Sequence, residues 1–297
     1  MKYIIGIDAG GTSSKGASYQ INGELIKEEV VGFGNFAVDI IKTKLHLEEL
    51  INKLIEPNKN NELKAIYLGV AGIGSFPQKD QYLKELELQY STKVKLMSDI
   101  ALTKQACLKG NNGIMFILGT GFACIGSNDN KELLFGGWGH IIGDHCSGYA
   151  LGIAAIRKVI FDYENQSFSE LSKNILDFFE IDDVMKLKEI TYQYPKDKVA
   201  SIAKLIIELS FKNKDALEIL TLEITKLAET LERLITALNF KKEVNIVGFG
   251  SIFENIPMLK EILEANLYAY QLNWLPKKEA TLGAYYLYHS KEKRVVL

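Results

Sequence analysis

Residues 3–12 read YIIGIDAGGT and residues 114–121 read IMFILGTG. Each is a short apolar run closed by a glycine turn, the pattern of a buried strand that feeds a tight loop. After the first copy, Lys15 to Ile21 and Leu25 to Val31 form two more strand-like pieces around the turn Asn22-Gly23. Asp39 to Ile55 then carries Ile41, Leu45, Leu50 and Leu54 near helical spacing, and Ala65 to Val70 returns to a buried strand pattern. Lys93 to Met97 alternates as a strand and leads through Ser98-Asp99 into a helix-compatible stretch from Ile100 to Leu108.

The second copy starts the same order again. Ile114 to Leu118, Phe122 to Ser127 and Glu132 to Phe135 read as three strands. Self-similarity at a period of about a hundred residues points to a duplicated domain, because solenoid repeats recur every ~20–50 residues. The predicted fold is therefore α/β, with two duplicated lobes of β-β-β-α-β-α-β order and a cleft between them. The expected boundaries are 1–108 for the first lobe and 109–284 for the second, with a C-terminal helix over about 285–297 crossing back onto the first. The rest of the second lobe reads as helical: Glu170 to Phe179, Val199 to Phe211, and one long amphipathic helix with a stripe at Leu217, Leu220, Ile224, Leu227, Leu231, Leu234 and Leu238. Val244 to Val247 is the last clear strand and runs into Gly248-Phe249-Gly250-Ser251.

Composition narrows the function classes. The chain has 297 residues, 47% hydrophobic and 24% charged, enough to build two ordinary cores. A formal charge of −2 without a basic stripe argues against a nucleic-acid partner. No apolar run approaches the ~20 residues that span a bilayer, and the amino terminus lacks the length of a signal-peptide core. The three cysteines, Cys107, Cys124 and Cys146, are too scattered for a disulfide framework or a Cys-x-x-Cys metal site, which fits a reducing cytoplasm.

Three glycine turns follow three apolar strands: Asp8-Ala9-Gly10-Gly11-Thr12, Leu118-Gly119-Thr120-Gly121 and Gly248-Phe249-Gly250-Ser251. Bare backbone lets main-chain N–H groups approach an oxyanion, and Thr or Ser adds a hydroxyl donor, so the set suits phosphate. There is no G-x-x-x-x-G-K-[ST] run, and the first glycine turn leads into a strand, which excludes both the P-loop and the Rossmann fingerprint. Asp99, after a strand and before a helix, suits a catalytic carboxylate, with an ordinary helix N-cap as the alternative.

Taken in order, strand-DAGGT, GVAGIGS at 69–75, SDIAL at 98–102, ILGTGFACIG at 117–126, GGWGHIIGD at 136–144 and VGFGS at 247–251 resemble the N-acetylglucosamine kinase branch of the BadF/BadG/BcrA/BcrD ATPase family. The resemblance covers nearly the whole chain and implies ribonuclease-H-like lobes in an actin-like ATPase architecture, the fold shared with hexokinase and the heat-shock chaperones. It implies ATP and Mg²⁺ as cofactors and transfer of phosphate to the 6-hydroxyl of an N-acetylated amino sugar. By that resemblance Asp8 holds Mg²⁺. Gly10, Gly11 and Thr12 form the first phosphate loop, and Gly119, Thr120 and Gly121 the second. Gly250 and Ser251 form the adenosine turn, with Ala200 beside the adenine. Asp99 is implied as the base, and Asn35, Gly137, Trp138 and Asp144 join it as sugar-binding residues. Trp138 keeps a structural alternative as core filler, and His140 reads as structural.

Two departures bear on the sugar. Phe122 stands where the family usually has Ser, and His145-Cys146 replace a customary Glu-Gly. N-acetylglucosamine is the expected substrate, with N-acetylmuramic acid and unacetylated glucosamine as alternatives. The competing functions are an ATPase activator of a radical dehydratase, which needs clustered cysteines for an iron–sulfur centre, and a sensor that binds ATP or sugar without turnover. A homodimer is the expected assembly.

Overall fold

The computed structural model describes residues 1–129 and 131–290. The described chain divides into two compact units, one of Met1–Gly113 with the segment from Leu275 onward, the other of Ile114–Trp274. Of the helix expected over about 285–297, residues 291–297 lie outside the described residues.

In the first unit the order is β1 (Lys2–Ala9), β2 (Ser14–Gln20), β3 (Leu25–Val31), α1 (Ile40–Ile55), β4 (Glu62–Val70), α2 (Lys79–Tyr90), β5 (Lys93–Met97) and α3 (Asp99–Leu108). The sheet runs β3-β2-β1-β4-β5, with β1-β2 and β2-β3 antiparallel and β1-β4 and β4-β5 parallel. Both faces of β1 are covered, which explains its unbroken apolar run. Tyr3, Ile5, Ile7 and Ala9 join the core beneath α1 and α2, while Ile4 packs with Leu102 and Ala284 on the other face.

The second unit repeats that topology. It comprises β6 (Gly113–Leu118), β7 (Phe122–Asn128), β8 (Lys131–Gly136), α4 (Gly148–Glu164), α5 (Glu170–Phe178), α6 (Lys186–Tyr192), α7 (Lys196–Ala200), α8 (Ala203–Leu209), α9 (Lys214–Ala237), β9 (Glu243–Phe249), α10 (Ser251–Asn255), α11 (Leu259–Asn266) and β10 (Gln271–Trp274). Its sheet order β8-β7-β6-β9-β10 matches β3-β2-β1-β4-β5 strand for strand. Helix α12 (Gly283–His289) returns to the first unit, where a short turn at Ala280–Leu282 crosses β1. A Cβ at Gly6 would lie 2.2 Å from the Thr281 carbonyl oxygen, so only glycine admits that crossing. Among the described residues, no helix is long and apolar enough to cross a membrane.

The structure corrects three local readings. Helix α1 buries Thr43, Leu47, Leu50, Ile51 and Leu54, leaving Ile41 and Leu45 in solvent. Its register is set by Asp39, which caps the helix through the Lys42 N–H, and by the fit of Leu50 and Leu54 against the bare backbone of Gly16. The stretch Val199 to Phe211 is two helices, because the chain breaks at Ser201-Ile202 between α7 and α8. Helix α2 and strand β10 carried no clear pattern: α2 buries only Tyr82 and Leu86, and β10 spans four residues. The face of α1 is tested by alanine substitution. Leu47→Ala should cost about 2–5 kcal/mol in urea unfolding, whereas Leu45→Ala should stay within about 0.5 kcal/mol.

Candidate active site

Parallel register assembles the carboxylates of the first unit. Asp8 pairs with Gly69, and Gly69 pairs with Met97, two residues before Asp99. Gly69 leaves room for α3: a Cβ there would sit 2.7 Å from Leu102 Cβ and 3.2 Å from Asp99 Cα. The N-cap of α3 is Ser98, whose hydroxyl accepts from the Ala101 N–H at 3.3 Å. Asp99 is the first helical residue, and its Oδ1 accepts from the Ile100 N–H at 2.9 Å. The capping role therefore belongs to the serine.

Burial pushes the Asp99 carboxyl above its ordinary range, with the Ile100 N–H pulling the other way. Asp8 is pushed up to about 6, first by burial and then by the charge of Asp99; Lys277 opposes this, Glu279 adds to it and Lys15 opposes it. A buried carboxylate whose proton affinity is raised by a second one suits a hydrated divalent cation, which would relieve the repulsion. Among the described residues, no group of three or more His, Cys, Asp or Glu side chains is placed to hold a metal ion.

Beside Asp8, the Gly10 N–H donates to Ser13 O at 3.0 Å, and Gly10 O accepts from the Gly34 N–H at 2.8 Å. Gly11 and Thr12 are exposed, and a Cβ at Gly11 would meet no protein atom within 4 Å. Packing does not demand that glycine; an approaching anion would. Asn35 is held by its own N–H to Thr43 Oγ1 at 3.0 Å, while its Oδ1 accepts from the Ala37 N–H at 2.9 Å. That contact leaves the Nδ2 group as a donor.

In the second unit the Gly119-Thr120-Gly121 turn is pinned to the start of α4. Gly148 N donates to Gly119 O at 2.8 Å, and Tyr149 N to Thr120 O at 3.3 Å. Gly250, at φ 111°, lies so close to β6 that a Cβ would be 2.5 Å from Leu118 O, which brings Ser251 against Gly119. Helix α7 crosses α4 at two glycines one turn apart: a Cβ at Gly152 would be 2.2 Å from Val199 O, and one at Gly148 would be 3.4 Å from Ala200 Cβ. These approaches outline a cavity of about 280 Å³ lined by Thr120, Gly148, Ala200, Lys204, Ser251 and Asn255, among others. Thr120, Ala200 and Ser251, which lie about fifty or more residues apart in sequence, thus line one cavity. Gly148, Lys204 and Asn255 were missed, since their only sequence signal was proximity to a glycine turn or to a helix break that read as continuous.

The 136–147 segment is mostly loop. Gly136, Gly137 and Gly139 all take positive φ, and Trp138 stands 72% exposed, so it is not core filler. His140 lies edge-on to Tyr149, with ring centroids 4.6 Å apart, in keeping with a structural role. Asp144 is buried in a left-handed conformation, its Oδ2 2.8 Å from where a Gly121 Cβ would stand and its Oδ1 unpartnered. Phe122 is 4% exposed and packs against Gly136 within the core.

A family model for the BadF/BadG/BcrA/BcrD ATPases matches residues 5–286. The chain belongs to the BadF/BadG/BcrA/BcrD ATPase family. An N-acetylmuramic acid/N-acetylglucosamine kinase of Clostridium acetobutylicum is 27% identical over 279 residues, covering 87% of this chain and 88% of that protein. A glucosamine kinase of Vibrio cholerae is 23% identical, covering 86% and 87%. A solved structure from Chromobacterium violaceum, described as a candidate N-acetylglucosamine kinase, superposes with a TM-score of 0.70 at 20% identity, covering 97% of this chain and 99% of that one. The family's fold is the one found here in both units.

The raised proton affinity of Asp8 has a measurable cost. Between its ordinary value of 3.8 and about 6, the folded chain holds a proton that the unfolded chain has lost. Stability therefore falls as pH rises through that window, and the penalty persists above it. Asp8→Asn should raise unfolding free energy at pH 7.5 by roughly 1–3 kcal/mol and leave it nearly unchanged at pH 4. Equal stability of the two proteins at pH 7.5 would contradict the assignment.

Proposed function

We propose that this protein is an ATP-dependent sugar kinase that phosphorylates the 6-hydroxyl of an N-acetylated amino sugar, with N-acetylglucosamine as the first substrate and N-acetylmuramic acid as a second. The observation that carries the reading is Ser98 capping α3, which leaves the Asp99 carboxylate for chemistry beside Asp8. The names of the relatives support the substrate class, since two of them act on amino sugars by their descriptions. Glucosamine is the weaker choice.

ATP supplies the phosphoryl group, and Mg²⁺ neutralises its charge. Asp8 holds the ion through water. Asp99 orients the sugar hydroxyl and accepts its proton as the oxygen bonds to phosphorus, and burial brings its proton affinity closer to the working pH. Gly10, Gly11 and Thr12, with Gly119, Thr120 and Gly121, offer main-chain and hydroxyl donors to phosphate oxygens. Ala200 and Ser251 line the space for the nucleoside, and Gly250 sets how closely Ser251 approaches it. Asn35 donates to a sugar hydroxyl, Gly137 leaves room for it, Asp144 accepts from one, and the exposed Trp138 offers a flat apolar face to the acetamido methyl. The enzyme acts in the cytoplasm as a homodimer on this reading.

An iron–sulfur activator fits less well. Cys107 is bound at both the N–H and the carbonyl of Lys278, and Cys124 and Cys146 are buried in the apolar core of the second unit. A sensor without turnover would have no need of a buried carboxylate pair whose charge destabilises the fold.

An ADP-release assay over a panel of hexosamines tests the reading directly. Asp99→Asn should fold and bind ATP normally while turnover falls by roughly 10²–10⁴; near-normal turnover would sink the assignment of the base. Trp138→Ala should weaken N-acetylated sugars by about 1–3 kcal/mol and plain glucose by less. Equal losses would mean that the indole shapes the loop and does not read the acetyl group.

A further inference from the structure

Helix α9 turns an apolar stripe of Leu220, Ile224, Leu227, Leu231 and Leu234 into the core. Within that stripe, one turn from both Leu220 and Leu227, stands Glu223, 4% exposed. A carboxylate at such a position is costly unless each oxygen has a partner. Both do: Lys226 Nζ lies 2.5 Å from Oε1, and Oε2 accepts from the Cys146 N–H at 3.0 Å. The second contact leaves the helix and grips the backbone of a loop 77 residues away in sequence.

That loop needs holding. Asp144 and Cys146 both lie in the left-handed region, at φ 62° and 60°, although neither is glycine. Such a conformation is strained for a residue with a side chain and persists only where its surroundings over-determine it. Within the turn itself, only the bond from Ser147 N to Asp144 O at 3.2 Å supports the pair. The start of α4 is secured independently, by Ser147 capping Ala150 and by Gly148 donating to Gly119.

We infer that Glu223 is a positioning residue: its carboxylate fixes the strained 144–147 turn through the Cys146 N–H and so sets where Asp144 presents its unpartnered Oδ1. The inference deepens the proposed kinase reading, on which Asp144 accepts a hydrogen bond from the sugar. Glu223 does not line the cavity beside Thr120, Ala200 and Ser251, so its effect is expected on the sugar more than on the nucleotide.

Two variants separate positioning from bulk. Glu223→Gln keeps an acceptor for the Cys146 N–H, and Glu223→Met keeps the volume without it. In hydrogen–deuterium exchange, protection of residues 144–147 should fall about tenfold or more in Glu223→Met and survive in Glu223→Gln, with α9 and β6 unchanged in both. In steady-state kinetics, KM for the sugar should rise about tenfold in Glu223→Met, KM for ATP should stay within about twofold, and Glu223→Gln should restore the wild-type value. Unchanged protection at 144–147 in Glu223→Met overturns the inference. So does loss spread evenly through the unit, or a Gln variant as impaired as the Met variant. If the wild-type protein turns over no hexosamine, the kinase reading falls by itself, and the exchange data still decide what Glu223 holds.

Discussion

Two strands lying parallel put the ends of both chains at one edge of a sheet, so the loops that leave them are neighbours whatever their separation in sequence. This chain uses that constraint twice. In the first unit the row Asp8, Gly69, Met97 across β1, β4 and β5 delivers the first glycine turn, Asp8 and Asp99 to one edge. In the second, Ile117 pairs with Phe249 across β6 and β9, and the two glycine turns that follow emerge side by side. A slip of one residue in either pair would send every side chain to the opposite face and separate the turns. The apolar runs that bury these strands on both faces are what prevent the slip.

Glycine then sets the distances. Gly69 lets α3 come down onto β4, Gly250 lets the last glycine turn lie against Leu118, and Gly148 with Gly152 let α7 cross α4 at backbone contact. A methyl group at Gly69, Gly152 or Gly250 would collide with a neighbour inside 3 Å, so these approaches would have to open. Gly11 is the opposite case. No protein atom lies within 4 Å of where its Cβ would be.

Electrostatic cost marks the same places. Asp8 sits partly buried against the like charge of Asp99, and Asp144 and Glu223 are buried carboxylates in a unit whose core is built largely of leucine and isoleucine. Each lowers the stability of the fold unless something is bound to it. Glu223 has found protein partners for both oxygens, whereas Asp144 retains an oxygen with none.

Much of this was legible before any coordinates. Short apolar runs closed by glycine, written twice at a distance, dictate two strand-and-loop units because burial and turn chemistry are local properties of the chain. The family motifs then named Asp8, Asp99 and the three turns. What the sequence left open was decided by packing partners that lie far along it. Ser98 and Asp99 are equally able to cap a helix, and only the backbone path at residue 98 chose the serine. Ile41 and Leu45 look as apolar as Leu47 and Leu50, and only the shape of β2 around Gly16 chose the buried face. Ala200 reads as helical core until the break at Ser201-Ile202 turns it toward Thr120 and Ser251. Sequence carries the periodicity of each element, but which face of it is covered depends on atoms brought there by the rest of the fold.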